Sequence, residues 1–317
     1  MTTPNHTLTW TIRGDLYVTR QSNALEQARH TLFKMKDTLV NVFGWTVARS
    51  SNSSTAADSD LWLSTSNLVW AVGVTGARSW IVFNRPNGEQ VCFDLRNSTS
   101  SNYWQGGMYI SPGGLFTGGS ATSAPSATDQ ITVIAPATNL LTTSTVAPRN
   151  WYIAQSSDGH NTRIVHLENN VTQSAFFFDR LQDPHANMVG RSLVYGLGAS
   201  NQLTYTNWAH TARLNGRLID STAITATLSC IGTRSGGLGE HVNVRDLDGD
   251  LPLLRTRAYS NTSGYKGLLG VVPDLYLGSN LQKTGDTFPD GLGNPGKWLC
   301  MDHLLLPWNN TRLQSGG

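Results

Sequence analysis

Trp151-Tyr152-Ile153-Ala154-Gln155-Ser156-Ser157-Asp158-Gly159-His160-Asn161-Thr162-Arg163-Ile164-Val165-His166-Leu167 is the stretch that decides the fold. Trp151–Ala154 and Arg163–Leu167 are runs of aromatic and β-branched residues. They flank Asp158-Gly159, a dipeptide suited to a tight chain reversal, so the stretch predicts a β-hairpin.

The same pattern extends outward in both directions. Downstream, Ser174–Asp179, Arg191–Tyr195, Leu203–Tyr205 and Ala223–Ile231 read as further strands. Upstream, Asn67–Val72 and Ser79–Phe83 read as strands joined across 73–76. Arg85-Pro86-Asn87-Gly88 is a turn by residue type, and Gln90–Leu95 is the returning arm. Trp45–Ala48, Tyr103–Ile110 and Ile131–Ile134 complete the set.

One helix interrupts it. Apolar residues at Leu25, Ala28, Leu32, Met35, Leu39 and Val42/Phe43 recur at three- and four-residue spacing. Asn23 is a good N-cap, Glu26 holds the capping-box position and Gly44 supplies the stop, so a helix is predicted over about 23–43. The fold class is therefore mainly β (α+β): antiparallel, sandwich-like sheets with one prominent N-terminal helix and long loops.

Composition agrees. Only 14% of the 317 residues are charged, the net charge is +2, and there are 31 glycines. Lysine and arginine are scattered, which leaves no basic stripe for nucleic acid. Between Arg96 and Arg149 the only charged residue is Asp129. This divides the chain into an N-terminal α+β domain (1–112), an uncharged Gly/Ser/Thr/Pro-rich arm or connection (113–148), and a C-terminal β-rich domain (149–317). The arm is a candidate for packing on a neighbouring subunit. Three dispersed cysteines, Cys92, Cys230 and Cys300, argue against a disulfide framework. The first residues show no signal-peptide pattern, and no apolar run reaches the roughly 20 residues of a membrane span. Synthesis in a reducing cytoplasm, with no membrane, is the expectation.

Motifs for chemistry mostly fail on context. Gly291–Lys297 fits the spacing of a phosphate loop, but Trp298 stands where the magnesium-binding hydroxyl belongs. His160 and His166 flank a turn and are a nominal metal pair. Arg245-Asp246-Leu247-Asp248-Gly249-Asp250 resembles the start of a calcium loop, so Asp246, Asp248 and Asp250 are the candidate metal ligands. An EF-hand would need a distal glutamate and flanking helices. Here Leu251-Pro252-Leu253-Leu254 follows, and an Asp-Gly turn accounts for the stretch without calcium or any other cofactor. Paired carboxylates for glycan cleavage (Asp246, Asp248, Asp250, Asp274, Asp286) have nothing in the sequence to fix their separation. Trp45, Trp70, Trp80 and Trp151 sit in strands and read as core. Trp104, Trp208 and Trp308 lie among polar or turn residues and are the interface candidates.

Several stretches carry a resemblance. They are Asp248-Gly249-Asp250-Leu251-Pro252-Leu253, Gly267-Leu268-Leu269-Gly270-Val271-Val272-Pro273-Asp274-Leu275-Tyr276, Gly285-Asp286-Thr287-Phe288-Pro289 and Leu305-Leu306-Pro307-Trp308-Asn309. In the N-terminal half, the early helix, Gly44-Trp45-Thr46-Val47, a Ser-rich loop, Asn67-Leu68-Val69-Trp70 and Ser79-Trp80-Ile81-Val82 continue it. The succession resembles virion structural proteins of tailed bacteriophages. That implies a non-enzymatic particle subunit in the tail, neck or baseplate, made in the host cytoplasm and assembling with its own copies and other virion proteins. It brings no catalytic residues. The alternatives are a capsid decoration protein, a receptor- or carbohydrate-binding module that meets a host surface glycan through exposed aromatics, and a glycan-cleaving enzyme.

Overall fold

A computed structural model describes residues 6–18, 24–50, 78–96, 108–112, 131–134, 149–168, 171–197, 212–218, 223–229, 254–260, 263–264, 266–277, 287–288, 298–301 and 304–308. These form one α-helix, α1 (Ala24–Asn41), a single 3-10 turn (Ala186–Met188) and seventeen strands in two antiparallel sheets.

The five-stranded sheet runs β2 (Thr46–Ser50), β3 (Arg78–Asn84), β4 (Gln90–Arg96), β5 (Met108–Pro112), β6 (Ile131–Ile134) in order. The twelve-stranded sheet begins with β1 (Trp10–Val18), followed by β7 (Arg149–Ser156), β8 (Thr162–Glu168), β9 (Val171–Arg180) and β10 (Ser192–Leu197). It continues through β11 (Ala212–Leu218), β12 (Ala223–Ser229), β13 (Leu254–Ser260) and β14 (Gly267–Leu277). It ends with β17 (Leu304–Pro307), β16 (Trp298–Met301) and β15 (Thr287–Phe288). The fold is thus mainly β and antiparallel with a single helix, as the sequence predicts.

The hairpin at 151–167 forms as β7 and β8, with Gln155 opposite Thr162. The Gly159 N–H donates to the Ser156 carbonyl at 2.9 Å, so Ser157 and Asp158 occupy the centre of the turn. Gly159 follows at φ +70°, a conformation glycine adopts without a Cβ penalty. Residues 151–156 are buried on both sheet faces, which explains an apolar run without polar alternation.

Helix α1 ends two residues before the predicted position. Trp45 N–H donates back to the Leu39 carbonyl at 3.0 Å, with Gly44 at φ +70° between them. Met35, Leu39 and Phe43 are buried, as the stripe requires.

Three features were not legible in the sequence pattern. First, the cuts at 112 and 148 do not separate the sheets. Strand β1 pairs along β7, so an N-terminal segment belongs to the sheet of 149–317. Strand β6, inside the uncharged stretch 113–148, pairs with β5 as the last strand of the small sheet. Hydrogen bonding across sequence distance, which composition does not encode, overrides the compositional boundary.

Second, β14 is a bulged strand. Between the pairs Arg257↔Val271 and Arg255↔Tyr276, β14 carries three more residues than β13. The excess bows out Pro273 and Asp274, and Asp274 sits at φ +49°.

Third, the chain just past β9 meets β14 again. Gln182 and Val271 exchange both backbone hydrogen bonds at 2.8 Å, so pairing from β9 round to β14 closes on itself. Gly270 permits this approach, because a Cβ there would lie 2.8 Å from Leu181 Cβ and 2.9 Å from the Gln182 carbonyl oxygen. Gly270→Ala is expected to lower the unfolding free energy by about 1–3 kcal/mol, the usual cost of overpacking, read from a urea denaturation midpoint. An unchanged midpoint would mean that the seam does not hold.

Candidate functional site: two buried arginine clasps

The chemistry-bearing side chains that the fold gathers are two fully buried arginines, each tying remote segments together. Arg85 leads the β3–β4 turn. Its N–H donates to the Glu89 carbonyl at 2.8 Å, Gly88 N–H returns to the Arg85 carbonyl at 2.9 Å, and Gly88 takes φ +84°. This three-residue loop over Pro86, Asn87 and Gly88 aims the Arg85 side chain at the turn of the β7–β8 hairpin. There Arg85 NH2 donates to the Gly159 and His160 carbonyls, both at 3.0 Å, and to Thr162 Oγ1 at 3.2 Å. NH1 pairs with Glu89 Oε2 at 2.5 Å, and Glu89 Oε1 accepts from Ser192 Oγ at 2.6 Å. The guanidinium carbon lies 4.9 Å from the Phe178 ring centroid and 5.8 Å from that of Trp45.

Burial pushes Arg85 down to about 10; Glu89 and Asp179 oppose that loss. The group stays cationic at neutral pH. Around it, Trp45, Phe83, Phe93 and Phe178 join the small sheet to the large one. Trp45 meets Phe83 at 5.8 Å and Phe178 at 6.1 Å edge-to-face. Trp45 Nε1 also donates to Gln155 Oε1 at 2.5 Å, and Gln155 Nε2 donates to the Phe43 carbonyl at 2.9 Å. The end of α1 is thereby pinned to β7.

Arg163 on β8 is the second clasp. It forms an ion pair with Asp179 on β9, both side chains fully buried, and NH2 donates to the Pro273 carbonyl of the β14 bulge at 2.5 Å. Its guanidinium lies between the rings of Trp10 and Phe177, at 5.2 and 5.1 Å. The adjacent Asp274 carboxylate collects the N-terminal segment. Oδ1 accepts from Thr7 N at 2.7 Å and Thr7 Oγ1 at 2.8 Å. Oδ2 accepts from Leu8 N at 3.0 Å and Trp10 Nε1 at 2.7 Å.

Ser156, Asp158 and His160 are close in sequence, but their arrangement is that of a turn and not of a nucleophilic triad. Ser156 Oγ donates to Asp158 Oδ1 at 2.5 Å, and the same oxygen atom accepts His160 N–H at 3.0 Å. The His160 ring faces away, toward Asn87 and Arg180. Burial raises the Asp158 carboxyl, but the Ser156 hydroxyl and His160 amide outweigh it and hold the group below its usual value.

Several predicted sites are now placed. Trp308 is corrected: it is buried at 5% exposure, its ring stacked on Tyr152 at 6.3 Å. The Tyr152 hydroxyl donates to the Pro307 carbonyl, and burial pushes its phenol well above the ordinary range. Strand β17 lays Trp308 against β7, a long-range contact that the polar neighbours Asn309 and Asn310 concealed. Trp45 and Trp151 are core, as expected, at 1% and 0% exposure. His160 lies in the turn ahead of β8, its ring engaged with Asn87 and Arg180, and His166 lies within β8, opposite Trp151 and Ser174. Asp246, Asp248, Asp250, Trp104, Trp208 and the Gly291–Lys297 stretch lie outside the described residues. Among the described residues, no group of three His, Cys, Asp or Glu could hold a metal. No helix there is long and apolar enough to cross a membrane.

Compared with protein-family models, with curated proteins and with solved structures, the chain matches none.

Proposed function

We propose that this chain is a non-enzymatic structural subunit of a tailed-phage particle, placed in the tail, neck or baseplate and assembling with its own copies and other virion proteins. The observation that carries the reading is the use made of Arg85 and Arg163. Both buried cations, with their carboxylate partners, brace strands from distant parts of the chain against one another. Such cross-bracing suits a scaffold that must keep one shape while identical surfaces meet repeatedly in a symmetric assembly. The resemblance in 248–289 and 305–309 supports the particle and the class of neighbour.

The test is cryo-electron microscopy of purified particles, combined with sedimentation of the isolated chain. Symmetric density that fits the two sheets, with copies in contact, is the expected result. A monodisperse monomer with no affinity for other virion proteins and no density in the particle would sink the proposal.

A further inference from the structure

Where the β3–β4 turn meets the β7–β8 turn, donors outnumber acceptors. The His160 ring, on the second turn, is half-buried. Its Nε2 lies 2.9 Å from NH1 of Arg180, the last residue of β9, and its Nδ1 lies 3.1 Å from Asn87 Nδ2 on the first turn. Guanidinium and amide nitrogens only donate. The Asn87 oxygen is already engaged, because Oδ1 accepts the Glu89 N–H at 3.1 Å.

With its lone pair on Nε2, the ring accepts from Arg180, and its Nδ1 proton then meets the protons of the Asn87 amide. With the lone pair on Nδ1, the ring accepts from Asn87 and turns an N–H on Arg180. Flipping the amide satisfies an Nδ1 proton but sets the amide nitrogen against the Glu89 N–H. Every arrangement of asparagine therefore leaves one pair of donors opposed. An aspartate in this seat leaves none. One carboxylate oxygen takes the Glu89 N–H, the other takes the Nδ1 proton, and Nε2 stays open to Arg180. The facing turn already holds an aspartate in the same local geometry. Asp158 Oδ1 accepts the N–H of His160, two residues on, as Asn87 Oδ1 accepts that of Glu89. A glycine at positive φ follows each of them.

We propose that Asn87 is a site of spontaneous conversion to aspartate, and that the conversion tightens the joint between the two sheets. The Gly88 backbone nitrogen attacks Asn87 Cγ and gives up its proton to solvent. The bond from Cγ to the side-chain nitrogen breaks and ammonia leaves. Water then opens the cyclic imide at Cγ to give the carboxylate. Water is consumed, ammonia is released and no electrons are transferred. Gly88 is exposed, carries no side chain to hinder the attack, and has open space where a Cβ would stand. The Glu89 N–H on Oδ1 polarises the carbonyl that is attacked. The Gly88 N–H is held by the Arg85 carbonyl at 2.9 Å, so opening of that bond sets the pace. Water attack at the other imide carbonyl would give isoaspartate. That would lengthen the loop that the Arg85 N–H closes on the Glu89 carbonyl, so the fold favours ordinary aspartate. The site rests on the donor count alone and goes beyond the virion reading, whose failure would leave it standing.

Two experiments test it. In the first, the full chain is kept folded in warm, mildly alkaline buffer and then digested for mass spectrometry. Aspartate should accumulate at position 87 and exceed isoaspartate there. Asparagine persisting at 87 while the unfolded chain converts would overturn the proposal, and so would a predominance of isoaspartate. In the second, Asn87→Asp is made directly and its amide hydrogen exchange is compared with that of the wild type. Residues 85–89 and 157–161 should exchange about tenfold more slowly in the variant, the scale of one hydrogen bond to a charged group. That gain should vanish when His160→Ala is added, because the second carboxylate oxygen then has no ring proton to accept. Equal protection in variant and wild type would overturn the proposal. A gain that survives His160→Ala would do the same, since it would come from added charge and not from the missing acceptor.

Discussion

Arg163→Met is expected to lower the unfolding free energy by about 3–5 kcal/mol, the range found when one member of a buried ion pair is removed. The side chain is fully buried, and so is its partner Asp179. Methionine fills similar space between Trp10 and Phe177 but leaves a carboxylate without its guanidinium in a water-poor interior. It also strips the Pro273 carbonyl of its donor. Arg163→Lys keeps the charge but gathers its donors on one nitrogen in place of the planar fork that gives Asp179 and Pro273 a nitrogen each, and an intermediate loss is expected. Arg163→Met combined with Asp179→Leu separates the contributions. Removing both charges should restore part of the loss, because a buried ion pair is rarely worth more than apolar contacts of the same volume. Denaturation of the two single variants and the double variant gives the coupling energy. Strictly additive losses would mean that the pair does not interact as described.

Strand-forming stretches were readable from the sequence because their signals are local. The hairpin around Asp158-Gly159 and the turn over Pro86, Asn87 and Gly88 are set by residues a few positions apart. The helix was readable for the same reason, through its apolar spacing and Gly44. The clasps were not readable, because each joins residues remote in sequence, such as Arg85 with Gly159, 74 positions on, Arg163 with Pro273, 110 positions on, and the neighbouring Asp274 with Thr7, 267 positions back. A faint signal did exist. Phe176-Phe177-Phe178-Asp179 puts a carboxylate at the end of an apolar run in a chain with few charges, which implies a buried cationic partner. Nothing local says which arginine supplies it.

The same limit hid the role of Pro273-Asp274. Read along the sequence, the pair marks only a familiar stretch. In the fold it is the apex of the β14 bulge, with the Pro273 carbonyl facing Arg163 and the Asp274 carboxylate facing the N-terminal segment. Strand β1 escaped for a related reason, because it is defined by pairing with β7, more than a hundred positions away.

Asp274→Asn is expected to cost about 2–4 kcal/mol and to release the segment before β1, because it removes one acceptor oxygen from a site that collects four donors. Asparagine is the informative substitution. It matches aspartate in size and tolerates the positive φ of +49° at this position, so the backbone contributes little to the change. The cost then comes from hydrogen bonding and charge. With its oxygen toward Thr7, the amide nitrogen faces Leu8 N–H and the Trp10 indole N–H, both donors. Turned over, it serves those two, and the nitrogen faces Thr7 N–H, while the Thr7 hydroxyl can reverse and accept. The second orientation is cheaper, yet it still leaves one N–H opposed and converts the remaining bonds from charge-assisted to neutral. It also removes an anion beside the Arg163 clasp, so the effects of Asp274→Asn and Arg163→Met should be non-additive. Two measurements check this: the urea midpoint, and the rate of protease cleavage ahead of Trp10. The variant should lose stability and be clipped faster there, with the 151–167 hairpin remaining protected. A normal midpoint with unchanged cleavage would show that the four contacts do not hold the segment. Loss of protection throughout the twelve-stranded sheet would instead make Asp274 part of the core that keeps β14 closed on β9.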